Sequence, residues 1–137
     1  MLKMKRLTLL NCLVTVALVM AMVQTTPATA TEWECGERSN LPLAGKNYCA
    51  AGDFRQAESN LAKVLERVLE KHKVKFGDTI AVTSAQSAFE SYRDNQCTAE
   101  NKRIADKPFY PMIVAQCKTR LTNIRIDELK RMQAQDL

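Results

Sequence analysis

Four cysteines, Cys35, Cys49, Cys97 and Cys117, lie downstream of an N-terminal segment built like an export leader, and this combination restricts the fold more than any other feature. Lys3, Lys5 and Arg6 precede an apolar run from Leu7 to Val23, and Ala28-Thr29-Ala30 supplies the small-x-small triplet that a signal peptidase accepts. Cleavage is expected after Ala30. That gives a leader over residues 1–30, one domain over residues 31–137, a periplasmic or secreted location and no stable membrane anchor after cleavage. The competing reading is a retained anchor, since the run approaches the roughly 20 apolar residues that span a bilayer. An anchor, however, would lack the polar tail ending in Ala-x-Ala. Cys12 follows Asn11 inside the apolar core, which does not fit a lipid-attachment signal, so it leaves with the leader.

In an oxidising compartment an even set of four cysteines reads as two disulfides. Zinc would need closely paired ligands, but the chain has no C-x-x-C pair and His72 is its single histidine, so neither a metal nor another cofactor is expected. The leader also carries off part of the positive charge. Of 20 basic residues it removes Lys3, Lys5 and Arg6 and no acids, leaving 17 against 15 acidic ones, a net of +2. A nucleic-acid footprint is therefore excluded.

Three helices are legible in the periodicity. Asp53, with Gln56 three residues on and Gly52 before it, resembles a capping box, and Phe54, Ala57, Leu61, Val64, Leu65, Val68 and Leu69 follow at three-and-four spacing. Gly77 predicts the stop. Asp78 opens a second helix with the stripe Val82, Ala85, Ala88, Phe89 and Tyr92, ending near Cys97 to Glu100. Pro108 and Pro111 around Phe109 and Tyr110 mark a loop from Asn101 to Met112. A third helix carries Val114, Cys117, Leu121, Ile124, Glu128 or Leu129, and Met132. Residues 31–51, with Gly36, Pro42 and Gly45, show no sustained period and read as an irregular arm. The expected fold is all-α, a three-helix bundle with an N-terminal arm stapled by two disulfides.

Four cysteines allow three pairings. Cys35 with Cys49 would tie the arm to the first helix, and Cys97 with Cys117 would tie the second helix to the third. This pairing is favoured because both loops are short, and on the chain-entropy model each bridge contributes roughly 3 kcal/mol.

Three segments resemble a known family. NYCAAGDFRQAESNLAKVL from Asn47, AQSAFESYRDNQC from Ala85 and FYPMIVAQCKTRLTNIRIDEL from Phe109 are similar, in order and spacing, to the motifs of LprI-type lysozyme-inhibitor domains. The likeness runs from about Cys35 to about Met132. Phe89 stands where the family usually has tryptophan, and Ala62 and Leu65 or their neighbours replace its usual asparagine-tyrosine pair in the first helix. The resemblance implies a binding protein that inhibits lysozyme without chemistry of its own. The alternative is a structural or stress-related envelope protein that binds another periplasmic component, and an enzyme is not expected.

The motif residues Gln86, Phe89, Arg93, Asp94, Thr122 and Arg125 are read as structural, because polar groups on a largely apolar face usually satisfy buried partners. His72 lies between Lys71 and Lys73 with no orienting partner or nucleophile in its neighbourhood, so it is read as solvated and not as a general base. Glu90 and Asp94 are read as partners of Arg93, not as a glycosidase pair. A lysozyme cleft carries two carboxylates around the scissile bond, so an occluding surface should offer cations on loops. Arg38 and Lys46 in the arm and Arg103, Lys107 and Tyr110 in the inter-helix loop are the candidates, with Ser39, Asn40, Lys102 and Phe109 beside them. Animal-type lysozymes are strongly cationic, so a +2 domain gains no long-range steering and must bind through local fit. Oligomeric state is not legible.

Overall fold

The computed structural model describes residues 32–135, so the leader, the expected N-terminus at Thr31 and Cys12 lie outside the described residues. Within them the chain is an all-helical bundle. Helix α1 spans Leu43–Phe76, α2 spans Ile80–Glu100 and α3 spans Tyr110–Ala134, with a 3-10 turn at Lys102–Ile104 and no strand among the described residues. Both favoured disulfides form, Cys35–Cys49 and Cys97–Cys117, with Cα–Cα separations of 5.6 and 5.7 Å.

Helix α1 starts well ahead of Asp53, so the arm is shorter than its composition suggested. The helix begins directly after Pro42, whose extended backbone (φ −63°, ψ 163°) turns the chain in without a side-chain cap. Asp53 and Gln56 are therefore interior to α1. Asp53 pairs with Arg38, and Gln56 donates to Asn60 Oδ1 at 3.2 Å instead of closing a capping box. The stop falls where expected. Gly77 adopts φ 82°, a left-handed conformation that an L side chain resists, and its N–H reaches the Lys73 carbonyl at 2.9 Å. Asp78 then accepts the Ile80 N–H at 3.1 Å as α2 opens. Helix α3 begins at Tyr110, slightly earlier than the proline pair suggested. Pro111 fits its first turn, where a missing N–H costs no intrahelical bond.

Three long-range hydrogen bonds, one near the helix starts and two near the helix ends, fix the topology. Asn47 in the first turns of α1 donates to the Pro108 carbonyl at 3.1 Å, just before α3. Near the other end Lys71 donates to the carbonyls of Gln133, at 2.8 Å, and Gln135. Start meets start and end meets end, so α1 and α3 run parallel and α2 returns antiparallel to both. The α1–α3 seam is the principal contact, and α2 lies against α3 more lightly.

The main core joins Leu61, Val64 and Val68 of α1 to Val82 of α2 and to Ile126 and Leu129 of α3. A smaller cluster surrounds the second disulfide with Leu121, and Phe89 touches both. The stripes assigned from sequence to α2 and α3 need correction. Val82 is buried as expected, but Ala85, Ala88 and Tyr92 are exposed, and α2 turns Gln86, Arg93 and Cys97 inward in their place. On α3, Ile124 faces out while Ala115, Thr122 and Ile126 are buried. The inward face of α2 is half polar, which is why an apolar period misplaces it.

Candidate functional site

The two loops singled out by sequence come together at one end of the bundle. The arm folds back over the first turns of α1, held by the Cys35–Cys49 bridge and by Trp33, whose ring lies so close to Gly45 that a Cβ there would meet it at 2.9 Å. Arg38 donates through Nε to the Cys35 carbonyl at 3.0 Å and through its other nitrogens to both carboxylate oxygens of Asp53. That hydrogen bonding holds the Asp53 carboxyl below the usual carboxylate range. On the other side, Cys97–Cys117 and the Asn47 bond to Pro108 fasten residues 101–109 to the same end.

The candidate cations differ in availability. Arg38 is occupied by Asp53, although both side chains stay partly exposed. Lys107 pairs with its neighbour Asp106 at 2.8 Å. Lys46 is half-buried in the first turn of α1 and so is not an arm residue, while Arg103 is exposed on the 3-10 turn. Neither forms an ion pair among the described residues. Tyr110 is half-buried at the start of α3. Tyr48 and Phe109 are exposed aromatics at this same end. Tyr48 was not singled out from sequence, because its position was read as irregular arm.

The motif residues meet in the interior, away from that surface. Arg93 is buried and touches all three helices. Its guanidinium lies 4.8 Å from the Phe54 ring centre on α1, reaches Glu58 at 3.3 Å, bonds Asp94 at 2.9 Å and contacts Thr122 Oγ1 of α3 at 3.4 Å. Burial disfavours the charged form of Asp94, but hydrogen bonds from Arg93 and Lys118 outweigh it and keep the carboxyl below its ordinary range. Gln86 donates to Glu90 at 3.0 Å and accepts from Arg125 at 3.4 Å, so Glu90 serves Gln86 and not Arg93. Arg125 in turn pairs with Glu128 at 3.1 Å, and Phe89 lies between the Arg93 and Arg125 guanidinium groups at 5.8 and 5.7 Å. Each polar member has a partner, which a buried network requires.

His72 is half-buried, not solvated, with its ring 5.3 Å from that of Phe76 and its Nε2 enclosed without a hydrogen-bond partner. No group of three potential metal ligands occurs among the described residues. Two surface features escaped the sequence reading. A groove of about 610 Å³ runs between α2 and α3, lined by Ala88, Tyr92, Leu121 and Ile124 among others. At the α1–α2 turn, Val74, Phe76 and Ile80 stand out in solvent. Val74, Phe76 and Ile80 are present in the sequence as apolar residues off the helical stripes, whereas the sequence period assigns the groove residues to the core.

The family model for the lysozyme inhibitor LprI matches residues 37–129, a span that opens in the arm and closes within α3. The chain is also similar to the uncharacterized protein R02472 of Rhizobium meliloti (strain 1021). The two are 30% identical over 127 residues, covering 85% of this chain and 91% of that one. No solved structure matches.

Proposed function

The chain belongs to the LprI family of lysozyme inhibitors, and from that premise we propose that it blocks a lysozyme cleft by surface occlusion, using the end of the bundle where the arm and residues 101–109 meet. The observation that carries this reading is the convergence of both loops on the first turns of α1, each held by its own disulfide. A surface fixed in this way loses little conformational entropy on binding, which is what an inhibitor without steering needs. Among the described residues Lys46, Lys102 and Arg103 form no carboxylate pair there, and Tyr48, Phe109 and Tyr110 supply aromatic area of the kind enriched in binding hot spots.

The motif residues Gln86, Phe89, Arg93, Asp94, Thr122 and Arg125 are assigned to holding the helices in register, since their polar groups are taken up by one another. The protein is read as acting outside the cytoplasm after loss of residues 1–30. No described helix is long and apolar enough to cross a membrane.

The test is inhibition of peptidoglycan lysis by purified lysozyme. The parent should inhibit at micromolar concentration or below, and Lys46→Ala with Arg103→Ala should weaken it about 30-fold, equivalent to roughly 2 kcal/mol at a hot spot. An absence of inhibition against lysozymes of every structural type would remove the cleft-occluding reading.

A further inference from the structure

Among the exposed large apolar side chains, the two least covered are Val74, 77% exposed, and Ile80, 72% exposed, and Phe76 lies between them in sequence at 53%. All three sit at the α1–α2 turn, the end of the bundle opposite the arm. Helix α3 finishes at Ala134 alongside Lys71, so among the described residues no third helix flanks this turn. Exposing three large apolar groups at one tip is unfavourable unless something takes them out of water.

The charge around the tip indicates what that is. From Lys71 to Ile80 the chain carries Lys71, Lys73 and Lys75 against the single acid Asp78. Lys73 and Lys75 are exposed, whereas Asp78 already accepts the Ile80 N–H. Projecting apolar side chains ringed by lysines match an interface with apolar material beneath a negatively charged surface. A second protein copy fits less well. A stable interface needs roughly 800 Å² from each partner, and three side chains on a narrow turn offer far less.

We propose that the α1–α2 turn is a membrane-contact tip, in which Val74, Phe76 and Ile80 enter the interfacial layer of an anionic bilayer while Lys73 and Lys75 pair with its headgroups. Helix α1 then stands off the surface by up to about 50 Å at 1.5 Å per residue. The arm end is left facing away, where the inhibitor reading, on which this last point alone rests, requires it.

The experiment is co-sedimentation of the oxidised, exported protein with phosphatidylglycerol–phosphatidylcholine vesicles and with pure phosphatidylcholine vesicles. It is read together with the emission of a Phe76→Trp variant. Binding should be confined largely to the anionic vesicles, weaken with salt, and fall by roughly fivefold for each of Lys73→Gln and Lys75→Gln. Val74→Ser with Ile80→Ser should reduce it at least as much, and the Phe76→Trp emission should shift to the blue on binding. Trp33, at the far end, serves as the internal control in the parent. The tip assignment is overturned if the serine and glutamine variants bind as the parent does, or if Phe76→Trp emission ignores the vesicles. It is overturned equally if the same substitutions abolish a vesicle-free dimer, which would give the tip to a second copy.

Discussion

The Arg93 guanidinium rests 4.8 Å from the centre of the Phe54 ring, so the buried cation of α2 is held by an aromatic face of α1. Glu58 and Asp94 approach the same group from its sides, and Thr122 closes it from α3. The position is one where size, charge and planarity all matter.

Arg93→Ala should therefore destabilise the protein by about 2–3 kcal/mol. This is below the range for breaking a fully buried ion pair, because Glu58 and Asp94 remain partly solvated. Arg93→Lys should recover only part of the loss, since a point charge replaces the planar fork. Urea unfolding of the two variants decides, and a change under about 0.5 kcal/mol for Arg93→Ala, the range typical of ordinary surface positions, would show that the network contributes little.

Gly45→Ala tests the seating of the arm. The new methyl meets the Trp33 ring at 2.9 Å, backed by the Leu41 side chain, so the ring must move. Overpacking of this kind costs on the order of 1–3 kcal/mol. The readout is Trp33 fluorescence, which should change in the folded state, and inhibition should weaken with it. Unaltered emission would mean the arm does not rest on α1 as described.

The two disulfides should separate in their effects. Replacing Cys97 and Cys117 by serine should cost roughly 3 kcal/mol and loosen residues 101–109. Replacing Cys35 and Cys49 should remove a similar stabilisation but free chiefly the arm, leaving helical circular dichroism nearly unchanged. Differential hydrogen exchange mapped by peptide would show it. Equal loss of protection across α2 and α3 in both variants would contradict the assignment.

Acid stability follows from Asp53 and Asp94. Hydrogen bonds from Arg38 lower the first; for the second, burial opposes and bonds from Arg93 and Lys118 prevail. A carboxylate whose folded pKa lies below its unfolded value adds stability that is complete above the unfolded value, about pH 4, and is lost as pH falls through the folded one. Both groups are partly exposed, so the effect of each is modest. Urea midpoints measured downward from neutral pH should drop below about pH 4, and Asp94→Asn should flatten that limb. A parent curve with no acid limb would refute the linkage.

Much of the fold could be read from residue spacing, and the failures have physical causes. Gly77 ends α1 as expected because only a left-handed residue suits that turn, and the disulfides follow from short loops, one from the arm into α1 and one from the end of α2 into α3. The start of α1 was hidden because Pro42 gives no side-chain cap and Gly45 looks like a breaker, when it is there to admit Trp33. Asp53 imitates a cap while serving Arg38. The inward face of α2 was displaced because Gln86 and Arg93 occupy positions that an apolar period assigns to Ala85 and Tyr92. For the candidate surface, the loops were legible from their charge. Their convergence was not, because it depends on the parallel alignment of α1 and α3, which no local pattern encodes.

The placement of the bridges has a consequence for the integrity of the chain. Cys35–Cys49 is enclosed within the arm and α1, and Cys97–Cys117 within α2 and α3, so among the described residues no covalent link other than the Gly77 turn joins the first half to the second. A protease that nicks this turn leaves two cross-linked fragments held without a covalent bond, by the seam of α1 against α3 and by the contacts of Val82 and Arg93 with α1. The same two pieces, made separately and oxidised separately, should reassemble on mixing.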